Sequence, residues 1–166
     1  MALRWLRPTD TLAFLRDPRV MWDYPPDLAW PEPQAVIARA RHLYQEHGFG
    51  FFACERAGEV IGMCGLLPQH IDGGPQLEVG YRFAFADWGR GLATEAARAV
   101  RDWAFRSQPA EHLISIIRPD NAASCRVAEK NGMRFAKLAH WEKIKAEMRL
   151  YRITRAEWLD IASPQR

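Results

Sequence analysis

Residues 86–100 read ADWGRGLATEAARAV, with two glycines around an arginine running straight into a helical segment. Glycine reaches backbone angles that other residues avoid, which suits a plain turn. The first N–H groups of a helix lack intrahelical partners and lie at the positive end of its dipole, which suits an anion. The flanking sequence has to choose between the two. GRGLAT comes close to the dinucleotide fingerprint G-x-G-x-x-G, but Thr94 stands where the third glycine belongs. The fingerprint also wants an acidic residue at the end of the next strand, and LISII is followed by Arg118 and Pro119. The pattern G-x-x-x-x-G-K-[ST] is absent too. What is left is a turn whose consecutive N–H groups are able to hold a pyrophosphate at a helix N-terminus outside a doubly wound fold.

Upstream of that turn the periodicity is two. FGFFACE (49–55) and VIGMCGLLP (60–68), separated by a short turn, read as a hairpin, and PQLEVGYRFAF (75–85) follows HIDGG as a third antiparallel strand. Downstream, Leu92, Ala96, Val100, Trp103 and Ala104 line one face of a helix. HLISII (112–117) is a short buried strand and AASCRVAEK (122–130) a helix that Gly132 closes. Strand-like alternation returns at about 133–140 and 147–153. Near the start, Val36, Ile37, Ala40, Leu43 and Tyr44 recur at helical spacing after the proline-rich, irregular stretch 23–33. A crossover helix between neighbouring strands makes them parallel. The expectation is an α+β fold: a mostly antiparallel mixed sheet with one parallel pair, flanked by helices.

The chain has 166 residues, 48% hydrophobic and 26% charged, so one domain over 1–166 with its own core is expected. No apolar run approaches the roughly 20 residues that span a bilayer, and MALRWLRPTD has arginines where a signal peptide needs apolar residues, so no membrane and a cytoplasmic location are expected. Cys54, Cys64 and Cys125 show no pairing pattern, and the five histidines lack ligand spacing, so neither disulfide nor metal is expected. A net charge of +3 favours an anionic small ligand. Its dispersion along the chain disfavours a nucleic-acid groove.

LEVGYRFAFADWGRGLATEA, followed about 30 residues later by RPDNAASCRVAEKNGM, resembles the GNAT superfamily of N-acetyltransferases, in particular the branch that acetylates ribosomal-protein N-termini. The resemblance implies acetyl-CoA as donor and a primary amine as acceptor. The family's phosphate loop, Q/R-x-x-G-x-G/A, falls on Trp88, Gly89, Arg90, Gly91, Leu92 and Ala93, with Trp88 in place of the usual Gln or Arg. Backbone N–H groups from Trp88 to Thr94 would hold the pyrophosphate, with Gly89 and Gly91 admitting it closely. Arg90 is either a charge-assisted contact or a solvated loop residue. In this family the strand before the loop carries a bulge and splays from the strand after the crossover helix, so its backbone binds the pantetheine arm; Phe83, Ala84 and Phe85 stand there. A backbone N–H in that gap would also meet the thioester oxygen as charge develops.

The attacking amine must lose a proton, and Glu78 is the candidate base. Alternation puts Glu78, Gly80, Arg82 and Ala84 opposite the large apolar set Leu77, Val79, Tyr81 and Phe83, which also permits a cross-strand ion pair for Glu78. Relatives place a tyrosine for the leaving thiolate in N-x-x-A-x-x-x-Y-E-K-x-G-F. Here that register gives Asn121, Ser124 and Ala128, so the tyrosine is missing and the Ser124 hydroxyl becomes the candidate thiolate partner. Asn121 is either a contact to the pantetheine arm or a helix N-cap. The family's acceptor entrance maps near Trp22, Tyr24 and Trp141, where aromatic rings suit a cationic amine. A non-catalytic acyl-CoA sensor is the alternative function. The identity of the amine and the oligomeric state stay open.

Overall fold

The computed structural model describes residues 1–24 and 30–163, so part of the stretch 23–33 lies outside the described residues. Its strands are β1 (Ala2–Trp5), β2 (Phe51–Arg56), β3 (Glu59–Ile71), β4 (Gly74–Phe83), β5 (His112–Ile117), β6 (Arg134–Trp141) and β7 (Ala146–Thr154). The helices are α1 (Pro33–His47), α2 (Leu92–Ser107), α3 (Ala122–Lys130) and α4 (Arg155–Ala162). The seven strands form one sheet in the order β1-β2-β3-β4-β5-β7-β6, antiparallel except between β4 and β5. That is the mixed sheet with one parallel pair that the crossover helix α2 dictates.

Period-two alternation sends neighbouring residues to opposite faces. Cys54, Cys64, Leu66, Val79 and Phe83 pack under α2, α3 and α4 with Val100, Ala104, Phe105, Ala128 and Trp158. Their neighbours Ala53 and Met63 face the other way, against Leu6, Leu12, Leu15, Met21, Ile37 and Ala40 from α1 and the N-terminal segment. All three cysteines are buried and free. Burial pushes the Cys54 thiol up to about 12, so it stays protonated and inert at neutral pH.

Four features depart from the sequence reading. β3 runs past Pro68 to Ile71. Pro68 is tolerated because it pairs with Leu77 of β4 beyond the last residue of β3 paired to β2, so its missing N–H faces no ladder. β1 is a short edge strand of mixed polarity with no alternation to announce it. α4 follows a capping box in which Thr154 and Glu157 exchange side-chain-to-backbone bonds of 2.8 and 3.2 Å. The fourth concerns β4, which ends at Phe83 rather than 85 and pairs with β3 in unbroken register without a bulge.

Candidate active site

The opening between β4 and β5 has a different origin from a bulge. Ala84 N–H donates to Ile61 O of β3 at 2.8 Å, so alternation turns the backbone groups of Phe83, Tyr81 and Val79 toward β5. The parallel ladder contains one bridge, Glu78 with Ile114. Past it, the next backbone partners are taken by side chains. Ser115 Oγ donates to Val79 O at 2.8 Å, and Ile116 N–H lies 3.4 Å from Glu78 Oε1. The strands therefore separate just beyond Glu78, leaving the Tyr81 backbone facing the gap.

A groove of about 560 Å³ runs from the end of β4, at Tyr81 to Phe83, to the start of α2. Trp88, Gly89, Gly91, Leu92, Ala93 and Thr94 line it, as do Phe83, Asn121 and Ser124. Gly89 (φ 74°) and Gly91 (φ 79°) are left-handed, and Gly91 is the N-cap of α2 with no capping side chain. The first helical bond is Glu95 N–H to Gly91 O, so the N–H groups of Leu92, Ala93 and Thr94 have no helical acceptor. No heavy atom lies within 4 Å of where a Cβ on Gly89 or Gly91 would stand, so an anion can come up to the backbone. The Trp88 indole N–H donates to Phe83 O at 2.9 Å, bracing loop against strand. Arg126 and Lys130 of α3 add two cations that the motif reading missed, because only the fold brings α3 beside the loop.

Three expected contacts stand apart from this groove. Arg90 turns to Asp87 at 3.0 Å, where Arg56 also binds at 2.6 Å. Ala84 spends its N–H on β3, and Phe85, in a 3₁₀ turn, is exposed with the Arg19 guanidinium 4.2 Å over its ring. Asn121 does form the N-cap of α3, accepting from Ser124 N–H at 3.0 Å, while its amide donates to Asp23 at 2.9 Å. Asp23 also pairs with Arg82 at 2.9 Å. Trp22 borders the groove rather than the acceptor side.

A second cavity of about 290 Å³ opens on the α1 side of β4, and Tyr24, Glu78, Trp141 and Lys143 are in its wall. The two cavities share Asp23, Tyr81, Arg82, Asn121 and Ser124. Glu78 is only 8% exposed and accepts from Gln69 Nε2 at 2.6 Å across the strand pair. Arg82 is not its partner. Burial raises the Glu78 carboxyl above its ordinary range, the bonds to Gln69 and Ile116 offsetting part of that.

At the junction the Tyr81 hydroxyl donates to Ser124 O at 3.0 Å, and burial keeps this phenol protonated well above neutral pH. Ser124 borders both cavities. Position 128, where the family register wants tyrosine, is 1% exposed and packed in the core, so it borders neither. Tyr81 was hidden in the sequence as one member of an apolar strand face. A lone hydroxyl among Leu77, Val79 and Phe83 is the signal that marks it. Among the described residues no group of three or more His, Cys, Asp or Glu is placed to hold a metal, and no helix is long and apolar enough to cross a membrane.

A family model described as Acetyltransferase (GNAT) domain matches residues 1–134. YkkB of Bacillus subtilis (strain 168) is 44% identical over 90 residues, 54% of this chain and 52% of that protein. The chain thus spans about half the length of the curated relatives it matches. An acetyltransferase from Agrobacterium tumefaciens str. C58 superposes with a TM-score of 0.75 at 30% identity, covering 91% of this chain and 88% of that one. AAC(6')-Ib in complex with ribostamycin and coenzyme A shares the fold, with a TM-score of 0.80 at 18% identity, covering 99% and 98%.

Proposed function

The chain belongs to the acetyltransferase (GNAT) domain family, and from that premise we propose that it transfers the acetyl group of acetyl-CoA to a primary amine by direct attack in a ternary complex. The carrying observation is that a groove ending on the glycine turn and a second cavity meet at Tyr81 and Ser124, with the buried carboxyl of Glu78 in the wall of the second. Acetyl-CoA supplies the activated thioester. The amides from Gly89 to Thr94 take its pyrophosphate, Trp88 N–H being spent on Phe85 O at 3.2 Å, and the β4 backbone at Tyr81 and Phe83 takes the pantetheine arm as an added strand would. The Tyr81 N–H, turned into the gap, is the donor for the thioester oxygen as negative charge develops.

Glu78 removes the proton from the incoming amine, directly or through one water. A carboxyl raised by burial is a stronger base than an exposed one, closer to the optimum for work near neutral pH. For the departing thiolate the candidates are two hydroxyls, Ser124 and Tyr81, both at the junction of the cavities. Ser124→Ala is expected to lower kcat about 10- to 100-fold at unchanged acetyl-CoA affinity, as for an interaction stronger in the transition state. If Ser124→Ala keeps full kcat while Tyr81→Phe loses it, the phenol is the donor instead.

The deciding experiment follows thiol release from acetyl-CoA over a panel of amines, with thermal shift alongside. Release that depends on the amine supports the reading. A rise in Tm with acetyl-CoA and no release with any amine turns it into an acyl-CoA sensor. Gly91→Ala puts a Cβ where the pyrophosphate approaches and should weaken acetyl-CoA about tenfold or more. The left-handed φ costs alanine only about 1–2 kcal/mol, so the variant should still fold. Undiminished binding by folded Gly91→Ala removes the loop from the phosphate site.

A further inference from the structure

The acceptor cavity is lined by four cationic side chains, Arg39, Arg82, Arg118 and Lys143, against two carboxylates, Asp23 and Glu78. Two of the cations are neutralised in place. Arg82 pairs with Asp23 at 2.9 Å, and Arg118 with Asp120 at 3.2 Å. Arg39, on α1, and Lys143, in the β6–β7 turn, have no carboxylate within 4 Å among the described residues. The two cations also feel each other and the base. Partial desolvation, then Arg39, lower the Lys143 ammonium, while Glu78 acts in the opposite direction. Two like charges converging on one cavity with no ion-pair partner within 4 Å among the described residues favour an anion there.

Part of the remaining wall is apolar, with Leu15, Met21, Val36, Leu43, Ile144 and Met148, and the volume of about 290 Å³ suits a compact molecule. Resting on the acetyl-transfer reading, we propose that the acceptor is a free amino acid, whose carboxylate Arg39 and Lys143 hold while its amine faces Glu78 and the thioester. The apolar wall takes the side chain. In the step itself the amine nitrogen forms the N–C bond as the thioester C–S bond breaks. The nitrogen gives a proton to Glu78, and the thiolate gains one from the junction hydroxyls or water, so N-acetyl amino acid and free CoA result. A polyamine or aminoglycoside would instead place further ammonium groups beside Arg39 and Lys143, where like charges repel.

The test sets each common amino acid beside its own amide, with spermidine and kanamycin included, and reads kcat/KM for thiol release. The amide's amine is the less basic of the two, so any bias from free amine runs against the acid. The expected result is at least one amino acid preferred over its amide by about tenfold or more. Arg39→Gln and Lys143→Gln, both at exposed positions, should each lower that acid-over-amide ratio about tenfold, through KM for the acid. Preference for amides or polyamines, or an unchanged ratio in both variants, overturns the proposal and leaves acetyl transfer standing. Absence of thiol release with every amine tried overturns the acetyl-transfer reading. The acid–amide pairs are then compared by calorimetry on CoA-saturated protein, where equal or absent binding of acid and amide overturns this inference in its own right.

Discussion

Glu78→Gln is expected to lower kcat by about 10²- to 10⁴-fold near neutral pH, the range for loss of a general base. Glutamine keeps the shape and an acceptor for Gln69 Nε2 or Ile116 N–H, so the wall of the cleft should stand. The deficit should be greatest below the amine's own pKa and shrink at high pH, where free amine is plentiful. A pH–rate profile identical to the wild type would remove Glu78 from the chemistry. The same substitution should leave a mark on stability. Because burial raises the folded-state carboxyl above its ordinary value of 4.5, the folded chain keeps a proton that the unfolded chain has lost. Wild-type stability therefore falls as pH rises from the unfolded value through the folded one. Glutamine has no such dependence. The Tm of Glu78→Gln minus that of the wild type should grow between pH 4 and pH 8, a gain in stability accompanying a loss of activity.

Gly65→Ala is expected to lower Tm by about 10 °C, the equivalent of roughly 3 kcal/mol of overpacking in a chain of this size. A Cβ at this position would stand 2.1 Å from Gly50 O and 2.6 Å from Phe51 Cα. Both are backbone atoms of the neighbouring segment that enters β2, and Phe51 pairs directly with Gly65 in the β2–β3 ladder. No rotamer relieves such a clash. The strands would have to part, disturbing Phe51 in the wall of the acceptor cavity. Thermal melts of the two proteins at matched concentration decide it, and a Tm within about 2 °C of the wild type would mean that the ladder yields more easily than backbone packing allows.

What was legible in the sequence is what depends on backbone and on local spacing. The turn into α2 could be read because a left-handed backbone just before a helix favours glycines, here Gly89 and Gly91. The order of strands and helices followed from changes of period, and the crossover fixed the parallel pair. Tyr81, Arg39, Lys143 and Gln69 were not legible in their roles, because each acts on a partner far away in sequence or across a cavity. The separation of β4 from β5 was expected from a bulge in β4. It comes from the side chains of Ser115 and Glu78, and no local pattern distinguishes a serine that caps a carbonyl from one that merely fits a strand. For α4 the signal was present: Thr154 and Glu157, three residues apart, spell a capping box ahead of Trp158.

Closing the gap between β4 and β5 into a continuous ladder would mean giving up the Ser115–Val79 and Glu78–Ile116 bonds. Those bonds make the parted arrangement the ground state rather than a scarce conformer to be selected. A ligand that must wait for an uncommon open form has its apparent affinity reduced by the fraction of molecules in that form, and its association slowed. With the strands already held apart, neither reduction applies, and capture of the pantetheine arm should proceed in a single kinetic phase. Ser115→Ala takes away one of the two wedges while leaving every groove-lining backbone group in place. It should introduce a slower, concentration-independent phase in CoA association, as a population with zipped strands first has to open.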